Sequence, residues 1–133
     1  MPAWKKCDLH DLVLVIDDSA LVAAVVADML EELGFSVKTA RNVDDALIVI
    51  QSNPVRCIVS DIELPGDRNG YLFALDLKKT RPDVSVFLMT GNARRAAEAE
   101  RDFSVLIKPF GLRDLGGVMR GIHREMPGDQ DSE

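Results

Sequence analysis

Cysteine is scarce: Cys7 and Cys57 alone cannot build a disulfide framework, and both thiols are expected to be reduced. Long apolar runs are missing as well. The longest are of strand length or are broken by acids, so no membrane insertion is expected. The opening segment MPAWKKCDLHD has two lysines with no apolar stretch behind them, and no secretory signal is expected from it. A reduced cytoplasmic protein is the simplest account. Positive charge is in deficit, with 16 Lys and Arg against 22 Asp and Glu and a net charge of −6. Such a surface repels phosphate backbones, which argues against direct binding of nucleic acid. There is no internal repeat, and 133 residues suit one domain large enough for its own core. At 47% hydrophobic and 29% charged residues, the chain should be globular.

What is present is an alternation of periods. Short buried-strand runs lie at about Leu12–Ile16, in FSVKTA, and at Arg56–Ser60, Ser85–Met89 and Ser104–Ile107. Between them run helical patterns. The first starts near Ser19, with Val22, Val25, Val26, Met29, Leu30 and Leu33 as its apolar stripe and Gly34 closing it. The second, about Val43 to Gln51, should bury Ala46, Leu47, Val49 and Ile50 and stop at Asn53-Pro54. A third spans about Tyr71–Thr80, a short fourth Ala93–Glu100, and a fifth carries Leu115, Val118, Met119 and Ile122 on one face. The expected organisation is an N-terminal lead over 1–10, one domain over 11–125, and a disordered acidic tail over 126–133.

Alternating strands and helices imply an α/β, doubly wound, five-stranded parallel sheet with five covering helices. The flavodoxin-like order 2-1-3-4-5 is one candidate, and it would place the first and third strands side by side at the switch point. Four strands then end in polar residues: LVLVIDDSA at Asp17, CIVSDIELPGD at Asp61, VFLMTGN at Thr90 and VLIKPFG at Lys108. In an open parallel sheet these ends line one edge, where ligands bind. Asp17, Asp18 and Asp61 together would repel unless a cation neutralised them, and Mg²⁺ takes such hard oxygen ligands. An aspartate beside a lysine and a hydroxyl suits attack on phosphorus, with Asp61 as nucleophile, Lys108 neutralising phosphoryl oxygens and Thr90 hydrogen-bonding one. Singly, each has an ordinary alternative. Asp17, Asp18 or Ser19 could cap the first helix, Asp61 could serve the following turn, Thr90 could cap the fourth helix, and Lys108 could be a surface residue. Four in order at successive strand ends make coincidence a poor explanation.

On these residues the chain resembles the response-regulator receiver domains of two-component signalling, of the single-domain chemotaxis type, over about Asp11–Glu125. The matching pieces are Asp17-Asp18-Ser19, DIELPG from Asp61, MTG with Thr90, and KPF with Lys108. The resemblance implies that Asp61 is the phospho-acceptor and that Asp17, Asp18 and Asp61 hold Mg²⁺, or Mn²⁺ as the alternative, with the Glu63 backbone carbonyl. It implies that Thr90 is the switch hydroxyl, Lys108 the phosphate-binding cation, and Lys108–Pro109 a cis peptide that helps aim the lysine. The implied donor is a histidine kinase or histidine phosphotransfer protein. The implied output is a changed affinity for a downstream protein at the face of the fourth helix, fifth strand and fifth helix, with a phosphorylation-linked dimer as a further option. Receivers catalyse their own phosphorylation and dephosphorylation and are otherwise not enzymes.

Departures accompany the match. Val105 stands where receivers commonly carry a switch Tyr or Phe; Phe103 could substitute, though a place in the core is the expected role. The turn LPGDRNGY is long and brings Gly70 one position late, as in receivers of hybrid sensor kinases or stand-alone relatives. Glu63 and Asn92 would border the path of hydrolytic water. Arg94 and Arg95, His10 and His123 are expected at the solvated surface, and Trp4 either anchors a partner or packs the lead. Two other functional classes stay open: a receiver-fold adaptor indifferent to phosphorylation, and an aspartyl phosphatase of the haloacid-dehalogenase kind. The second is disfavoured by the Ile62-Glu63-Leu64-Pro65 that follows Asp61. The sequence leaves open whether this is a natural single-domain protein or a receiver excised from a hybrid kinase.

Overall fold

Ten elements alternate among the described residues: β1 (Leu12–Ile16), α1 (Ala20–Glu32), β2 (Ser36–Ala40), α2 (Val43–Ser52), β3 (Val55–Asp61), α3 (Gly70–Thr80), β4 (Ser85–Thr90), α4 (Ala93–Ala99), β5 (Ser104–Ile107) and α5 (Leu112–Met119). The computed structural model describes residues 7, 8, 10–66 and 69–120. Trp4, Ile122, His123 and the acidic tail over 126–133 lie outside the described residues.

Local chemistry accounts for most boundaries. Ser19 caps α1, its hydroxyl accepting from Val22 N at 3.2 Å. Asn42, Asn69 and Asn92 cap α2, α3 and α4 in the same way. Gly34 follows α1 with a φ of 106°, a backbone conformation that glycine adopts without a side-chain clash.

The five strands pair in parallel in the order β2-β1-β3-β4-β5. β1, β3 and β4 are buried nearly throughout, whereas β2 at the edge exposes Ser36, Lys38 and Thr39. Side chains alternate between two hydrophobic layers. Leu14, Ile16 and Ile58 pack with Ala46, Ile50, Phe73, Ala74, Leu77 and Ala96, so α2, α3 and α4 cover one face. Val13, Val15, Cys57 and Val59 pack with Val26, Leu30, Leu115, Val118 and Met119, so α1 and α5 cover the other. From β1 the chain steps outward to β2 and then back across to β3. This reversal opens a crevice at the C-terminal ends of β1 and β3.

Three expectations need correction. Val25 is 49% exposed, and the buried line of α1 is Ala23, Val26 and Leu30, because the helix turns a narrower strip to the sheet than its valine content suggested. Leu47 and Val49 of α2 are only partly buried; Val43, Ala46 and Ile50 form its inner face. Cys7 and Cys57 are not separate thiols but are joined as a disulfide, with Cα atoms 6.3 Å apart. The reason is tertiary. The Cys7 N–H donates to Met119 O of α5 at 2.9 Å, which seats Cys7 in the layer that Cys57 enters from β3. Among the described residues no helix is long and apolar enough to cross a membrane.

Candidate functional site

The crevice gathers side chains from the ends of four strands. Asp17 follows β1 directly. Its own N–H donates to Ala40 O at 3.1 Å, and its Oδ1 accepts the Ser19 N–H at 2.9 Å, so one turn both ends the strand and starts α1. Asp61 is the last residue of β3, with Oδ1 accepting from the Glu63 N–H at 3.2 Å. The Lys108 N–H donates to Thr90 O at 2.8 Å, extending the β4–β5 pairing to the site, and the Lys108–Pro109 peptide bond is cis. Lys108 Nζ then lies 3.1 Å from Asp17 Oδ2 and 3.3 Å from Asp61 Oδ2.

Asp17 and Asp61 are buried, at 1% and 5% exposure, while Asp18 is exposed. One carboxylate oxygen from each of Asp17, Asp18 and Asp61 lies within 4.8 Å of the other two. Burial pushes the Asp61 carboxyl up to about 6; the Lys108 charge pulls it down, and the Asp17 charge raises it further. For Lys108, burial works to lower the pKa but is outweighed by the hydrogen bond to Asp17 and the charges of Asp61 and Asp17, so it stands above its usual value. Three oxygen donors, two of them buried and served by one lysine, fit a hard divalent cation.

Thr90 is fully buried at the end of β4. Its hydroxyl donates to the Glu63 carboxylate, at 2.8 Å from Oε2 and 3.0 Å from Oε1, and accepts from the Asn92 N–H at 3.1 Å. The same carboxylate accepts from Arg95 Nη1 at 3.1 Å. Burial would raise the Glu63 pKa, but the bonds involving Thr90, Asp61 and Arg95 outweigh it and hold the carboxyl below its usual value.

The residues read from the sequence therefore meet, with Asp17, Asp18, Asp61 and Lys108 in one cluster and Thr90 joined to it through Glu63. Arg95 lies at the exposed helix surface as expected, and there it is also paired with Glu63. Asn92 caps α4 with its side chain. Gly70 was legible only as a turn residue; a β-carbon there would collide with the Asp61 carbonyl oxygen, and its N–H donates to Ile62 O at 2.8 Å. Val105 is buried beside Leu88 in the sheet. Phe103 is half-buried against the α2–α3–α4 layer, edge-on to Tyr71 at 6.0 Å and beneath Lys78 Nζ at 5.3 Å.

The family profile described as the response regulator receiver domain matches residues 13–119. The nitrogen assimilation regulatory protein NtrX of Azorhizobium caulinodans is 35% identical over 76% of this chain and 23% of its own length. The response regulator receiver protein CpdR of Brucella abortus is 31% identical over 77% of this chain and 88% of its own. The response regulator TrrA of Thermotoga maritima, solved in complex with Mg²⁺ and BeF, superposes with a TM-score of 0.72 at 25% identity, over 79% of this chain and 92% of that one. Against the NtrX relative, and against sensor histidine kinase RcsC of Salmonella typhi at 12%, the chain spans less than a quarter of the relative's length.

Proposed function

This chain belongs to the response-regulator receiver family of two-component signalling, and from that premise we propose that it takes a phosphoryl group onto Asp61 and signals by the change that follows. Receivers are signalling modules rather than conventional enzymes, and they work between histidine kinases and effectors. The observation that carries the proposal is Lys108 Nζ set 3.3 Å from Asp61 Oδ2 and 3.1 Å from Asp17 Oδ2 in a buried crevice.

The donor is a phosphohistidine of a kinase or phosphotransfer protein. An Asp61 carboxylate oxygen attacks phosphorus, the P–N bond breaks, the imidazole leaves and takes up a proton, and an acyl phosphate remains on Asp61. Lys108 neutralises the incoming phosphoryl oxygens, exchanging its pairing with Asp61 for them while keeping the one with Asp17. Asp17, Asp18 and Asp61, with the Glu63 backbone carbonyl, would hold Mg²⁺, or Mn²⁺ in its place. Such a cation, when bound, offsets the charge that builds up on the phosphoryl oxygens. Thr90 donates its hydroxyl proton to one phosphoryl oxygen once the group is in place.

Partner docking is assigned to the face of α4, β5 and α5. A groove of about 610 Å³ between β5 and α5, lined by Val105, Ile107, Phe110, Arg113, Gly117 and Arg120, supports the β5–α5 part of that assignment. The same face would serve a phosphorylation-linked dimer. A second reading, a phosphorylation-independent adaptor, is favoured by Val105, whose small side chain cannot couple ring burial to movement of Thr90. Under that reading Asp61→Asn would leave partner affinity unchanged.

The test is intact mass spectrometry after incubation with acetyl phosphate and Mg²⁺, with beryllofluoride binding as the check against rapid hydrolysis. One phosphoryl adduct is expected in wild type, absent in Asp61→Asn and after chelation. A folded wild type that takes neither phosphate nor beryllofluoride refutes the proposal.

A further inference from the structure

We propose that Glu63 is a positioning residue that latches Thr90 and the first turn of α4 in the resting state, and that a phosphoryl group on Asp61 releases both. This rests on Asp61 being the phospho-acceptor. Thr90 has a single hydroxyl proton, and it is given to Glu63 at 2.8 Å. The oxygen of the same hydroxyl is engaged by the Asn92 N–H. Thr90 therefore cannot donate to a phosphoryl oxygen without first giving up Glu63.

The other half of the latch is mechanical. Glu63 belongs to the turn after β3, Thr90 ends β4, and Arg95 lies in the first turn of α4, so one carboxylate joins three segments. α4 is only seven residues long and buries just Ala96 and Ala99, so this tether adds to the Asn92 cap in holding its start. A phosphoryl group two residues from Glu63 brings several anionic oxygens, which outcompete a carboxylate for the Thr90 proton and repel it. Glu63, with its side chain 38% exposed, can swing into water without a buried charge being left behind, and Arg95, at 50%, can follow. The resting chain is thus a two-state element whose bound form lacks the latch. Removing the latch should make the competent state commoner and so tighten binding of a phosphoryl mimic.

The test measures beryllofluoride affinity in Mg²⁺ for wild type, Glu63→Ala, Glu63→Gln and Arg95→Ala, together with amide exchange over residues 93–99. Glu63→Ala should bind about tenfold more tightly, the effect of one charged hydrogen bond removed from the resting state. Glu63→Gln keeps an acceptor for Thr90 and should gain no more than about threefold. In Glu63→Ala and Arg95→Ala the α4 amides should exchange before ligand is added as fast as they do in ligand-bound wild type. Unchanged affinity in Glu63→Ala, or unchanged α4 exchange in both variants, overturns the latch. A gain in Glu63→Gln equal to that in Glu63→Ala also overturns it, since plain charge repulsion would then suffice. If wild type binds no beryllofluoride while folded, the phospho-acceptor reading fails, and the release mechanism goes with it. A latch failure, by contrast, leaves wild-type binding intact.

Discussion

A buried carboxyl with a pKa near 6, against an ordinary 3.8, makes Asp61 a source of pH dependence. The folded chain keeps this proton to higher pH than the unfolded chain does, so Asp61's contribution favours folding most below about pH 4 and diminishes as pH rises through about 6. In metal-free buffer the loss approaches about 3 kcal/mol at pH 7.5. Asp61→Asn, which cannot ionise, should therefore unfold at higher denaturant than wild type at pH 7.5 with chelator, and the advantage should vanish near pH 4. Equilibrium denaturation at the two pH values checks this; a gain that persists in acid would trace to something other than the carboxylate. Added Mg²⁺ should narrow the difference at pH 7.5, because a cation among three acids relieves the same penalty. Asp61 was legible at the end of an apolar run. Its raised pKa was not, because burial is set by the strands on either side.

Among the elements, α3 abuts the site at its first residue. That residue, Gly70, lies against the Asp61 carbonyl oxygen with no room for a β-carbon. Gly70→Ala must push the helix start away from β3 and should cost about 1–3 kcal/mol. It should also weaken beryllofluoride binding, since the clash displaces the backbone of Asp61 itself. Gly91→Ala, with open space around the added carbon, should change stability by no more than about 0.5 kcal/mol. Thermal unfolding of the two variants side by side separates a packing effect from a general effect of replacing glycine. Helix starts at Ser19, Asn42, Asn69 and Asn92 follow from side chains that cap backbone N–H groups close by in sequence. Which helical face turns inward depended on the sheet, and Val25 shows the consequence: apolar and correctly spaced, yet half in solvent.

For the whole molecule, the Cys7–Cys57 bond closes a loop of 50 residues and ties the segment before β1 to the centre of the sheet. Oxidised protein should exceed the reduced form in stability by up to about 4 kcal/mol, through restriction of the unfolded chain. Denaturant midpoints before and after phosphine reduction, with thiols counted by alkylation, provide the measurement. Equal midpoints would mean that the link restrains little.

The alternation of strand and helix, the capping residues and the four polar strand ends were open to reading because each depends on neighbours a few positions away. Membership in the receiver family was legible for the same reason, since its motifs sit on those ends. The Glu63–Thr90 bond spans 27 residues, the Glu63–Arg95 pair 32 and the disulfide 50. No local period encodes contacts at such separations. They follow from how β3, β4 and α4 are stacked and from where α5 receives Cys7, and these are properties of packing, set once the sheet has closed its two hydrophobic layers.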